Sequence, residues 1–143
     1  MPNTTSNIVL YATLAARYPV INIASGAVSA TTLLITAAST ATIVTDVLFR
    51  SADATLRGFD IIICATGSQA IAENARVQIA IPALSGNNGT AAIASLAALA
   101  PQLFDIDLAG NRVLTLESGQ SIYVKNLATT AGAFFITAKA RDY

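Results

Sequence analysis

The chain has 143 residues, of which 54% are hydrophobic and 11% charged, and its eight basic and eight acidic side chains cancel to zero net charge. That length suits one domain, and the composition excludes disorder, which needs low hydrophobicity and high charge. It also lacks the basic run of a nucleic-acid binder, and the absence of histidine removes Ser-His-Asp and Cys-His catalysis and His-bearing zinc sites.

The segment Met1 to Asn7 is polar and has no basic n-region of a signal peptide, so a soluble intracellular product is expected. Residues 1–30 read as an N-terminal arm or a first strand, and Ile8 to Tyr18 fits either a strand or a short helix. Residues 31–143 read as one jelly-roll domain. Two stretches carry no charge, Tyr18 to Thr45 and Val77 to Phe104. Each has the length of a membrane span, but Pro19, Gly26 and many Ser and Thr interrupt the first, and Pro82 and the turn Ser85 to Gly89 interrupt the second. No membrane partner is therefore expected.

Pro19 to Ala24, Thr31 to Ala37 and Ala41 to Arg50 are rich in Val, Ile and Thr, residues that favour pleated, packed surfaces. Phe59, Ile61, Ile63 and Ala65 alternate with Asp60, Ile62, Cys64 and Thr66, and Ala75, Val77, Ile79 and Ile81 alternate with Asn74, Arg76, Gln78 and Ala80. Ile122 and Val124 alternate with Ser121, Tyr123 and Lys125, and Phe134, Ile136, Ala138 and Ala140 do the same near the end. A period of two marks half-buried antiparallel strands. Turn signals at Ser25-Gly26, Ser51-Ala52-Asp53, Thr66-Gly67, Ala109-Gly110-Asn111, Ser118-Gly119 and Ala131-Gly132 separate them. The expectation is an all-β antiparallel sandwich or jelly roll of about eight strands. One segment departs from it: Thr90 to Leu99 is alanine-rich, with Ile93, Leu96 and Leu99 spaced by three, Thr90 as N-cap and Pro101 as stop. It predicts one short helix near 90–100.

Little chemistry is left for a site. Neither common phosphate-binding glycine motif occurs, and the lone Cys64 in an apolar run reads as a small buried hydrophobe. Asp105 and Asp107 share a strand face with Asn111 nearby, but Leu116 stands where an EF-hand would place its last glutamate. They read as solvated carboxylates entering a turn, and neither metal nor cofactor is expected. Asp46, Asp60, Glu73 and Glu117 remain as acids for a glycosidase-type pair, and the bland reading, solvated or salt-bridged side chains, is favoured. Asn3-Thr4-Thr5 and Asn88-Gly89-Thr90 match glycosylation sequons by chance. Tyr123 falls on the outward face of its strand, where a plain exposed strand residue is the favoured reading and a stacking or docking handle the alternative.

The stretch Leu103 to Leu114, with its D-x-x-G-N-R-x-L run, and then Leu116 to Val124, with G-x-x-I-x-V, resemble the strand–turn–strand endings of tailed-phage capsid decoration (cement) proteins. Ile81-Pro82-Ala83 with the following Ser-Gly-Asn-Asn-Gly loop, and the terminal run Ala138 to Tyr143, fit the same pattern, so the likeness covers about Thr31 to Tyr143. The resemblance implies a jelly roll, made in the host cytoplasm, that forms homotrimers or homodimers on the outer capsid surface of the virion. It would bind the major capsid protein and stabilise the head, without enzymatic activity. Tyr123, Arg141 and Tyr143 are the expected partner contacts. The alternatives are a tail or fibre structural component and a carbohydrate-binding jelly-roll module.

Overall fold

The computed structural model describes residues 15–87, 89 and 91–142. Strands β1 (Ala15–Arg17), β2 (Val20–Ile23), β3 (Thr31–Thr36), β4 (Ala41–Ser51), β5 (Arg57–Ala65) and β6 (Ala75–Ile81) lead to a short crossing made of β7 (Ala94–Ser95) and α1 (Leu96–Leu99). Strands β8 (Asp105–Ile106), β9 (Arg112–Glu117), β10 (Gln120–Asn126) and β11 (Phe134–Asp142) complete the chain. All pairings are antiparallel and form two sheets. In the first, β1 and β2 lie end to end along β11, followed by β4, β9 and β8, with β7 also on β4. The second has the order β3-β10-β5-β6.

If β1 and β2 count as one interrupted strand and the two-residue β7 and β8 are set aside, eight strands remain. Those eight are then ordered first-eighth-third-sixth in one sheet and second-seventh-fourth-fifth in the other. That alternation is the doubly wound Greek key of a jelly roll. Pro19 supplies the interruption, since a residue without an amide hydrogen belongs at a sheet edge. Its carbonyl still accepts from Ala138 at 3.0 Å, which keeps the broken strand in place.

Alternation of side chains then builds the core. Phe49, Val47 and Val44 of β4, Phe134, Ile136 and Ala138 of β11, and Leu116 of β9 point from the first sheet. Phe59 and Ile61 of β5, Ile81 of β6, and Ile122 and Val124 of β10 meet them from the second. Phe59 joins the layers: its ring lies 5.8 Å from that of Phe49 and 4.9 Å, edge-on, from that of Phe134. Each such fully buried side chain contributes about 1.5–3 kcal/mol through area removed from water. One extra residue, Thr45, is accommodated in β4 where Asp46 faces Lys139 and Val44 faces Ala140. This bulge restores the inward alternation on both sides of it.

Loops are joined by buried polar groups. The Asn126 amide donates to the carbonyls of Ala27, Val28 and Ala128 and accepts from Ala30 N. Asp53, 1% exposed, holds another junction. One carboxylate oxygen accepts from Thr55 N at 2.8 Å, and the other from Arg57 Nε at 2.7 Å and Ala131 N at 2.8 Å. Its own carbonyl accepts from Leu84 N. Burial alone would raise the Asp53 pKa, but the hydrogen bonds from Arg57, Ala131 and Thr55 outweigh it and hold the carboxyl below its ordinary value.

The helix differs from expectation in extent. It spans Leu96–Leu99, because Ala94 and Ser95 pair with Phe49 and Leu48 as a strand. Ser95 is the cap, its hydroxyl accepting from Ala98 N. Thr90 lies outside the described residues, and Pro101 opens a 3-10 turn over Pro101–Leu103. Of residues 1–30, those from Ala15 to Ile23 include two strands of the first sheet. Residues 1–14, which contain most of the Ile8 to Tyr18 segment and one sequon, lie outside the described residues, as do Asn88 and Thr90 of the other sequon. Among the described residues no helix is long and apolar enough to cross a membrane.

Candidate functional site

The connection between β8 and β9 is built by Asp107. Its carboxylate accepts from Ala109 N at 2.9 Å and Asn111 N at 2.8 Å, and its carbonyl accepts from Gly110 N at 3.0 Å. Asp107 N donates to the Asn111 carbonyl at 2.9 Å, closing the hairpin. Gly110 sits at φ +85°, a left-handed conformation that a side chain would strain. With the carboxylate folded into the turn, Leu108 is left fully exposed at its tip, and Ile106 is 61% exposed on the strand before it.

Beneath this hairpin, on the outer face of the first sheet, lies a recess of about 470 Å³. Ala140 points into the core, so its neighbour Arg141 points outward, opposite Ile43 of β4. Strand β9, on the other side of β4, brings Arg112 and Val113 to the same recess, and the turn brings Asp107 and Asn111. The recess is therefore lined by the outward Arg141, by Asp107 and Asn111 of the turn, and by an apolar wall of Ile43 and Val113, with Arg112 at its margin. That chemistry serves recognition by shape and charge. Three of the residues singled out from sequence, Asp107, Asn111 and Arg141, meet here. Arg112 and the apolar tip Leu108 were not singled out, although a leucine between Asp107 and Gly110 in a turn is a visible oddity.

Tyr123 is elsewhere. It lies on the outer face of the second sheet, as its strand position requires, but is 5% exposed and not an open handle. Ile62 and Cys64 of the neighbouring β5 form a small second cluster with it. Its hydroxyl accepts from Gly67 N at 3.0 Å, which pins the loop after β5 beside that face. Sheet packing on one side and this loop on the other bury the strand twice, which explains the unbroken apolar run Ile61 to Cys64. Cys64 is a free, buried thiol. Tyr143 lies outside the described residues.

The carboxylates are dispersed. Asp46, on the outer side of the first sheet, accepts from Ser95 Oγ at 2.6 Å and Ala97 N at 3.1 Å and so braces α1. Asp60 lines a separate pocket of about 440 Å³ on the second sheet, near Lys125 and Ile71. Glu73 is in a 3-10 turn and Glu117 ends β9, both exposed. Asp105 is exposed opposite Val113. Among the described residues no three His, Cys, Asp or Glu side chains gather as a metal site.

No family model matches this chain, and no curated protein matches it. Among solved structures it is similar to a chain of the cyanophage Pam1 capsid asymmetric unit, at 14% identity and a TM-score of 0.45, over 91% of this chain and 85% of that one.

Proposed function

We propose that this chain is a virion structural protein of the cement or decoration type. In this reading it binds the outer capsid surface, through the major capsid protein, and works by mechanical stapling without catalysis. The observation that carries the reading is the β8–β9 hairpin. The residues with the decoration-protein resemblance, Leu103 to Leu114, fold into a turn that holds a large apolar side chain fully in water. Burying the fully exposed Leu108 against coat subunits would supply roughly 1.5–3 kcal/mol, and Ile106, already partly covered, would add less. Repeated over many copies, that energy opposes the separation of the subunits bridged. A chain with so few charges also meets copies of itself with little repulsion, which suits a homotrimer or homodimer. With Tyr123 buried, the aromatic platform sought for a carbohydrate-binding module is missing from that position.

The test is sedimentation of the purified chain with phage heads stripped of their outer proteins, alongside its solution mass by light scattering. Saturable co-migration with the heads, and a gain in their resistance to heat or osmotic shock, is the expected result. A chain that stays at the top of the gradient with every head preparation refutes the reading.

A further inference from the structure

The second sheet presents one row of polar side chains straight across its outer face. Thr31 of β3 stands opposite Lys125 of β10, Lys125 opposite Asp60 of β5, and Asp60 opposite Gln78 of β6. Phe59, Ile61, Val124 and Ile79, next to them along the strands, are in the core, so alternation turns the row outward. The charged residues of this sheet are Arg57, Asp60, Arg76 and Lys125. Arg57 pairs with Asp53, and Arg76 donates to the Ile63 carbonyl. Asp60 and Lys125, though directly opposite, carry no ion pair or side-chain hydrogen bond among the described residues.

Both line a recess of about 440 Å³, together with the half-exposed Ile71. A recess with one charge of each sign suits neither an anion nor a cation. It suits a surface that carries the same two charges in reversed order, and this face meets that condition when turned upon itself. The sheet has four strands in the order β3-β10-β5-β6. A two-fold axis parallel to the strands, above the gap between β10 and β5, lays β10 over β5 of a second copy and β3 over its β6. Lys125 then faces Asp60 of the second copy and Thr31 faces its Gln78, and the symmetry makes each contact twice. In the next row, Leu33-Tyr123-Ile62-Ala75, the half-exposed Leu33 comes over Ala75 of the second copy. Packed sheets stand about 10 Å apart, a gap that the four-carbon stem of a lysine and a carboxylate close between them.

We propose that the outer face of the second sheet is a self-association surface, on which a second copy of this chain packs face to face about that axis. The proposal deepens the self-association in the function proposed above and does not depend on the capsid. Four strands at about 4.8 Å and about six residues at about 3.3 Å give a face of roughly 19 by 20 Å. Two copies therefore bury on the order of 800 Å² at the face itself, the low end for a specific interface. Such a dimer is weak and forms where copies are concentrated.

The experiment is sedimentation velocity of the full chain from about 1 to 200 µM, where a monomer–dimer equilibrium is expected. In Lys125→Glu each facing pair holds two negative charges, and in Asp60→Lys two positive ones. Each variant should associate about tenfold or more weakly than wild type. An equimolar mixture of the two should form the heterodimer, and the exchanged Lys125→Glu/Asp60→Lys chain should dimerise as wild type does. Neither side chain points into the core, so urea midpoints near the wild-type value are expected. If either variant fails to fold, the exposed ends of the row carry the same test. There Thr31→Glu/Gln78→Glu should weaken the dimer and Thr31→Glu/Gln78→Lys should not. A wild type that stays monomeric or forms a trimer, single variants that associate as wild type does, or a mixture that stays monomeric overturns the proposal. A monomeric wild type that still binds phage heads overturns the dimer alone, and a dimer that binds no heads overturns the capsid function alone.

Discussion

Replacing Asp53 by Asn keeps the shape of the side chain and removes its charge, and the effect on stability follows from the donors around it. Thr55 N reaches one oxygen, and Arg57 Nε and Ala131 N both reach the other. An amide retains one acceptor oxygen, so its NH₂ must face either Thr55 N or the pair Arg57 and Ala131, donor against donor. Removing one partner of a buried ion pair costs about 3–5 kcal/mol. The Arg57 side chain keeps 19% of its exposure, so it can turn partly to water, and the lower end, about 3 kcal/mol, is expected. With an m-value of roughly 2 kcal/mol/M, the urea midpoint falls by about 1.5 M. The dependence on pH has a fixed sign. Because the folded carboxyl lies below its ordinary value, its contribution is complete above the unfolded pKa of about 3.9. It is lost as pH falls through the lower folded value. The gap between wild type and Asp53→Asn in urea titrations should therefore be constant from pH 7 to 5 and close below about pH 4. A midpoint shift under about 0.3 M at pH 7, or a gap that widens in acid, would refute the reasoning.

Gly132→Ala would place its methyl carbon against the backbone of Ala52 and Asp53, and a loss of about 1–3 kcal/mol is expected by urea denaturation. Tyr123→Phe removes the hydroxyl that accepts from Gly67 N; it should cost about 1 kcal/mol and speed hydrogen exchange at Gly67 more than at Ile122. Leu108→Ser, at a fully exposed position, should leave stability within about 0.5 kcal/mol while weakening co-sedimentation with phage heads at least tenfold.

The strands were the legible part of the fold, because half-buried strands carry their own pattern. Val77, Ile79 and Ile81 face the core from β6 while Arg76, Gln78 and Ala80 stay exposed, as the spacing alone requires. Two-sided burial is invisible to the same reasoning. Tyr123 alternates correctly with Ile122 and Val124, yet its exposure depends on a loop more than fifty residues earlier that donates Gly67 N to it. The helix was overextended for a related reason. Alanine and leucine favour helix from Thr90 onward, but Ala94 opposite Phe49 and Ser95 bonded to Asp46 draw that stretch into the sheet. Asp53 gave no local sign of its role beyond a turn, since Ala131, one of its donors, is 78 positions away. At the recess, Asp107, Asn111 and Arg141 stood out individually. That β9 and β11 flank β4, and so bring Val113 and Arg141 to one recess, is a property of topology.

The order of the strands also sets when the molecule can fold. Strand β11 lies between β4 and the interrupted β1–β2 strand, and β10 lies between β3 and β5. Of the described strands these central two come last in chain order. While a ribosome still holds them, neither sheet has its middle, and β4 and β5 each lack a neighbour they will later pair with. Neither sheet can close until both have been made. Any product truncated before Phe134 would expose bare strand edges at β2 and β4, surfaces open to aggregation.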